Sequence, residues 1–328
     1  MKDHTRMTNA LGIGDAMVDL FTRASQLPPR GGNIWSSAVE LHSGGTTANV
    51  AANLAKLGIC SSFAGVIGDD PYGAYVLDEF TRAGVDSHLV EIKKGTYTGI
   101  VLAVIDDQGE RTFIACAKGA AHIYLTPEYA AKLMIAENTV VHSSGVCLVE
   151  EPARTGLLNV FQEIHNQGTI LYFDPNLRLE GNIFPEALRS AQLQAISLSD
   201  VVLIGDEELI LLFPDCTLPE GVSRILANGS KLVVVKQGEK GATAYTTNDQ
   251  DHVPAFSTKV VSTAGAGDSF DAGFIAARIR QASIHDALIY SNAVAAIKVS
   301  RHGSQSVPTH QDVLRYLDSL AISISIDK

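Results

Sequence analysis

The feature that most limits the fold is a steady alternation through the second half of the chain. Short apolar, β-forming runs stand at Thr139-Val140-Val141-His142, Ile170-Leu171-Tyr172-Phe173-Asp174, Val201-Val202-Leu203-Ile204 and Leu232-Val233-Val234-Val235-Lys236, with stretches of helical spacing between them. Near-continuous apolar runs suit strands buried on both faces, and strand–helix alternation is how a chain covers both faces of a sheet. The pattern predicts an α/β fold: a mainly parallel sheet sandwiched by helices. Ala10-Leu11-Gly12-Ile13-Gly14 reads as its first strand. No internal repeat, low-complexity tract or linker interrupts the pattern. With 46% hydrophobic residues over 328 positions the chain can bury one large core, expected over residues 8–320 with a C-terminal tail at 321–328.

Two β-rich stretches do not fit the alternation. Residues 34–41 and 99–114 alternate partly between β-formers and polar residues, and the second carries a D-x-G hairpin signal at Asp107-Gln108-Gly109. Together they predict a small β-sheet lid, inserted as about 31–43 and 96–116. An ordinary hairpin on the main sheet is the alternative. A sheet this thin does not bury both faces alone, which predicts a homodimer joined through the lids.

The chemistry concentrates in Ser262-Thr263-Ala264-Gly265-Ala266-Gly267-Asp268-Ser269-Phe270-Asp271-Ala272-Gly273-Phe274, which follows an apolar pair and leads into a helix. Gly265 and Gly267 free the backbone to aim several N–H groups at one point above the helix N-terminus, a place that attracts phosphate. Asp268 beside it has two readings, a helix cap or a general base next to an anion hole, and the second suits phosphoryl transfer to a hydroxyl. Asp15 and Asp19 fall just past the first strand, at the end of an α/β sheet that faces ligands, where each is also placed to cap a turn. Ser43-Gly44-Gly45-Thr46-Thr47-Ala48-Asn49 runs from a flexible turn into a helix closed by Gly58. Asp69 and Asp70 read as a turn and cap ahead of Pro71.

Other chemistries find little support. A net charge of −11 repels nucleic acid and anionic membranes. Cys60, Cys116, Cys147 and Cys216 form no C-x-x-C pair and the ten histidines form no H-E-x-x-H, so neither a disulfide frame nor a zinc site is signalled, and reducing cytoplasm is the expected location. Residues 1–9 are polar, without the apolar core of a signal peptide, and Met7 is a second candidate start. Gly12-x-Gly14 lacks the third glycine of a dinucleotide fold, and no P-loop or protein-kinase motif is present.

Ser262-Thr263-x-Gly265-Ala266-Gly267-Asp268-x-x-x-Ala272-Gly273-Phe274-Ile275 resembles the C-terminal signature of the ribokinase/PfkB family of carbohydrate kinases, and the Gly44-Gly45 to Gly58 stretch resembles its N-terminal signature. The likeness runs from about Leu11 to Leu320. It implies a ribokinase-like fold, ATP with Mg²⁺, and a lid covered on one side by the sugar site and on the other by a second subunit's lid. By residue it implies Asp268 as the base, the Gly265, Ala266 and Gly267 amides as the anion hole, and Asp19, Gly44, Gly45 and Asn49 at the sugar. Lys236, Gly238, Gly241 and Asn292 would lie near the nucleotide, and the 303–308 loop would close that site. Arg178, in Phe173-Asp174-Pro175-Asn176-Leu177-Arg178, is placed to meet phosphate or a sugar acid, or lies on the surface.

The sequence departs from the family twice. Gly205 replaces the asparagine of an N-x-x-E element, leaving Glu208 to reach magnesium through water. Ser262 stands where ribokinases carry an aspartate that helps hold potassium, so a K⁺ site at Ser262 would be weak. Arg111-Thr112-Phe113-Ile114-Ala115-Cys116 has no later arginine for a substrate carboxylate, which favours a neutral, ribose- or fructose-like sugar. 2-Keto-3-deoxygluconate, a nucleoside, and a non-catalytic sugar or nucleotide sensor remain the alternatives.

Overall fold

The computed structural model describes residues 9–36, 38–107, 111–181, 183–301 and 306–327. The strands are β1 (Asn9–Ile13), β2 (Met17–Arg23), β3 (Val39–Gly44), β4 (Ser61–Gly68), β5 (Asp86–Lys93), β6 (Gly99–Ile105), β7 (Arg111–Cys116), β8 (Thr139–Ser144), β9 (Leu171–Asp174), β10 (Val201–Gly205), β11 (Leu232–Lys236), β12 (Ala242–Tyr245) and β13 (Gln250–Val253). The α-helices are α1 (Thr46–Lys56), α2 (Pro71–Ala83), α3 (Pro127–Ala130), α4 (Ala153–Gln167), α5 (Glu186–Leu198), α6 (Asp206–Leu212), α7 (Leu218–Ala227), α8 (Ala266–Ile279), α9 (Ile284–Val299) and α10 (His310–Ser319).

The main sheet runs β13-β12-β11-β10-β9-β8-β1-β4-β5, parallel from β11 to β5 with an antiparallel edge at β12 and β13. Each buried strand feeds both faces because successive side chains point opposite ways. Val202 and Ile204 pack with α4, α5, α6 and α7, while Val201 and Leu203 pack with α1, α8, α9 and α10. The order reverses between β1, which continues to β4, and β8 on its other flank. That reversal opens a crevice at the strands' C-terminal ends, the place where such sheets bind ligands.

A second sheet of order β3-β2-β6-β7 stands apart from the first. It takes in β2, a stretch the sequence had not assigned to it, while of the described residues in the expected 34–41 segment those from Val39 on are strand. Asp19 therefore lies inside a lid strand and not in the turn after β1. The D-x-G signal at 107–109 falls mostly outside the described residues, but Ile105 pairs with Arg111 on either side of it. Asp70 caps α2, accepting from Gly73 N–H at 2.8 Å and from Thr98 N–H at 2.9 Å.

Candidate active site

Asp15, directly after β1, sits in the crevice. Its carboxylate accepts from the N–H groups of Thr46 (2.8 Å) and Thr47 (3.2 Å) and from the hydroxyls of Thr47 and Ser144, both at 2.9 Å. It is a helix cap contributed by a distant segment, tying β1, β8 and α1 together. The glycine pair before α1 follows from the same crowding. A Cβ on Gly45 (φ 90°) would lie 2.8 Å from the Asp15 carbonyl oxygen. One on Gly44 would come within 2.5 Å of an Asp19 carboxylate oxygen. Gly44 thus leaves room first for Asp19, which β2 presents from the lid.

Gly265 opens α8 in the left-handed region at φ 70°, a conformation that glycine adopts without steric cost. The Ala266 N–H turns back onto the Thr263 carbonyl at 3.1 Å, so it is not available to an anion. The N–H groups of Gly265 and Gly267 make no hydrogen bond among the described residues. Asp268, buried in the first turn, accepts from Asn49 Nδ2 at 2.7 Å. Burial pushes its carboxyl up to about 6; the Asn49 bond opposes the rise, Asp174 adds to it, and Arg178 and Lys236 hold it down. Asp19 rises to about 7, chiefly through burial and then through the charge of Asp268, with Arg178 opposing. Asp19 thus lies within electrostatic reach of Asp268, and the charge of Arg178 opposes the rise in both. Asn49, expected at the sugar, donates in this structure to Asp268.

The loop before α8 is held from two sides. Arg111, the first residue of β7, donates to Ser262 Oγ and Thr263 Oγ1, both at 3.2 Å. Lys298 Nζ donates to the carbonyl oxygens of Ser262 (3.1 Å) and Ala264. Burial pulls the Lys298 ammonium down to about 8, Asp268 opposes this and Arg111 adds to it. The group remains protonated at neutral pH. Ser262, expected at a potassium ion, thus has both its hydroxyl and its carbonyl oxygen accepting from cationic side chains.

The profile of the family described as "pfkB family carbohydrate kinase" matches residues 7–311. The chain belongs to the pfkB family of carbohydrate kinases. Among its relatives, a fructokinase of Vibrio alginolyticus is 27% identical over 93% of this chain and 97% of its own length. An ATP-dependent ribose-1-phosphate kinase of Halopiger xanaduensis is 30% identical over 95% and 98%. The structure of a double mutant of Vibrio cholerae fructokinase, bound to fructose, ADP and potassium ion, superposes at TM-score 0.83, with 28% identity over 95% of this chain and 98% of that one. Thermotoga maritima ribokinase shares the fold at TM-score 0.79, with 23% identity over 95% and 100%. The fold of this pfkB kinase is ribokinase-like.

Elsewhere in the crevice, several residues expected at the nucleotide or metal have protein partners. Lys236, at the end of β11, pairs with two carboxylates: its ammonium lies 3.0 Å from Asp174 and 3.1 Å from Asp271. Burial opposes its charge, but Asp174, Asp271 and Glu208 outweigh that and raise its pKa. The ammonium also lies beside the first turn of α8, since a Cβ on Gly267 would sit 3.7 Å from Lys236 Nζ. Glu208 accepts backbone N–H bonds from Gly205 (2.9 Å), at the N-cap of α6, and from Leu177 (2.7 Å), which anchors the loop after β9. No group of three or more His, Cys, Asp or Glu among the described residues is placed to hold a metal. Glu208 thus fits a magnesium ion only through water, as Mg²⁺ riding on phosphates permits. Asn292 Nδ2 donates to the carbonyls of Val253 (3.0 Å) and Pro254 (3.2 Å), fixing the end of β13. A Cβ on Gly241 (φ 98°) would strike the Val253 carbonyl, whereas Gly238 (φ 57°) has open space beside it. Of the 303–308 loop, 303–305 lie outside the described residues.

Asp271, Arg111, Lys298 and His142 went unremarked in the sequence as candidate site residues, whereas Asp174 lies in the 173–178 segment whose polar side chains were expected to face the cleft. His142 is buried with neither ring nitrogen partnered among the described residues, and burial holds it neutral, with a pKa of about 4. A signal existed for Lys298: it is the lone charge in Ala293-Val294-Ala295-Ala296-Ile297-Lys298-Val299.

Proposed function

We propose that Asp268 is the general base of an ATP-dependent sugar kinase that phosphorylates a hydroxymethyl group of a small neutral sugar, fructose- or ribose-like. The observation that carries this is one juxtaposition: a buried carboxylate with pKa about 6, on the helix whose first turn offers the unbonded N–H groups of Gly265 and Gly267. A base needs a pKa near the working pH, and the developing charge on a transferred phosphoryl group needs donors already in place. The sugar hydroxyl gives its proton to Asp268, its oxygen bonds to the γ-phosphorus, and the bond to the bridging oxygen breaks so that ADP leaves with the electron pair. Asp19 is suited to accept hydrogen bonds from two sugar hydroxyls, having two acceptor oxygens. Gly44 keeps its carboxylate in place. The free edge of the Gly238 turn and the charge of Lys236 suit a nucleotide at the end of β11. Mg²⁺ carried on ATP would neutralise phosphate charge, with Glu208 facing its waters.

The fructokinase relatives and the apolar 113–116 segment support a neutral sugar. An anionic sugar is the second reading, because Arg178 acts on both Asp19 and Asp268 and a ribose-1-phosphate kinase is among the relatives. A screen of ATP consumption with fructose, ribose, ribose 1-phosphate, 2-keto-3-deoxygluconate and nucleosides tests this. Fructose or ribose is expected to give the highest kcat/KM. A sugar phosphate or acid ahead by tenfold would replace the neutral reading, and no consumption with any of them would favour a sensor.

The quaternary reading is a homodimer through the lid. Register puts Leu20, Leu41, Leu102 and Ile114 on one face of the small sheet, opposite the face that carries Asp19, and Ile114 is 51% and neighbouring Val39 63% exposed. No helix among the described residues is long and apolar enough to cross a membrane, and the four cysteines are free. Work in reducing cytoplasm is consistent with both.

A further inference from the structure

Lys298 ends α9 and is fully buried, with 0% of its surface exposed. A lysine ammonium so far from water ordinarily pairs with a carboxylate. This one makes no salt bridge among the described residues and donates instead to the carbonyl oxygens of Ser262 and Ala264. Those carbonyls belong to the loop that sets the first turn of α8. In a planar trans peptide the C=O and the following N–H point in opposite directions. An ammonium that draws the Ala264 carbonyl toward itself therefore turns the Gly265 N–H away from Lys298. The same helix end fastens the loop a second time, since Val261 N–H (2.7 Å) and Ser262 N–H (3.0 Å) both donate to the Val299 carbonyl. Charges facing Lys298 come from two elements: Asp268 on α8 attracts it and Arg111 on β7 repels it.

We infer that Lys298 is a positioning residue for phosphoryl transfer, a tethered cation that fixes the Ser262 to Gly265 peptide planes so that the Gly265 and Gly267 N–H groups face the moving phosphoryl group, and that makes a free monovalent cation unnecessary there. The inference rests on the reading of Asp268 and its neighbouring amides given above. A lysine that merely plugged the end of α9 would be replaceable by an apolar residue of similar length without kinetic effect. A lysine that acts as a fixed cation has a different signature, because a diffusible cation can take over when it is removed.

The test measures kcat and KM of wild type, Lys298→Ala and Lys298→Met in choline, sodium, potassium and ammonium chloride at equal ionic strength. Wild type is expected to turn over equally in all four salts. Lys298→Ala in choline should lose about 10²-fold in kcat, the scale on which one ordered oxyanion donor acts, with KM for the sugar changed by less than about threefold. Potassium or ammonium should restore at least about a tenth of the wild-type kcat to Lys298→Ala, and less to Lys298→Met, whose side chain fills the space. Severalfold activation of wild type by potassium overturns the inference even if neither variant folds. So does a Lys298→Ala enzyme that keeps its kcat in choline, or one that folds, loses activity and responds to no cation. Asp268→Asn measured alongside separates the two readings: if it is inactive while Lys298→Ala works normally in choline, the base stands and the tethered cation falls. If Asp268→Asn is fully active, both fall.

Discussion

At the scale of single residues the site depends on how one carboxylate is kept ionisable inside the protein. Asp268 pays a desolvation cost that raises its pKa to about 6, and the 2.7 Å bond from Asn49 Nδ2 works against that rise. In the proposed mechanism the deprotonated form is the base, so kcat/KM should climb with pH and level off above the folded pKa. Asp19, at about 7, is raised in part by the charge of Asp268, so the acid limb belongs to the interacting pair and not to either residue. Removing a donor from a carboxylate disfavours its charged form. Asn49→Ala should therefore move the acid limb to higher pH while leaving the plateau reachable. A pH–rate profile with an unmoved limb would show that the Asn49 bond does not tune the base.

At the scale of elements, the stretch from β2 to α1 shows what the sequence could and could not reveal. Short apolar runs announced β8, β9, β10 and β11 because a strand buried on both faces has no polar positions to blur the pattern. β2 was missed because its alternation is interrupted by Asp19, a charge that made the segment look like a turn. The glycine pair was legible as a close approach, but what approaches was not: Asp15 and Asp19 are far away along the chain. The glycine turn that sets Asp268 in the first turn of α8 was legible because its glycines are local, whereas the Lys236, Asp174 and Asp271 cluster exists only once β9, β11 and α8 converge. Gly44→Ala tests the glycine reading. Its Cβ would meet the Asp19 carboxylate at 2.5 Å, so Asp19 must move. With hydrogen bonds to a charged group contributing about 1.5–3 kcal/mol, the sugar KM should rise about ten- to a hundredfold. Thermal melting should change little, and an unchanged KM would remove Asp19 from the sugar site.

At the scale of the molecule, two helices with opposite tasks meet in one crevice: α1 is capped by Asp15 and carries Asn49, and α8 begins at the anion hole and carries Asp268. The lid delivers Asp19 and Arg111 to the same place, so it is part of the site as well as its cover. Its outer apolar face predicts a dimer by light scattering at micromolar protein, and a monomer under those conditions would contradict the lid interface. The central claim, however, is the identity of the base, and turnover of Asp268→Asn tests it most directly. With ATP and the sugar found by the screen, kcat should fall by about 10²–10⁴-fold, as for loss of a positioned general base, while calorimetric affinities for both ligands stay within a few-fold of wild type. Near-full turnover in Asp268→Asn would make Asp268 a helix cap and contradict the account.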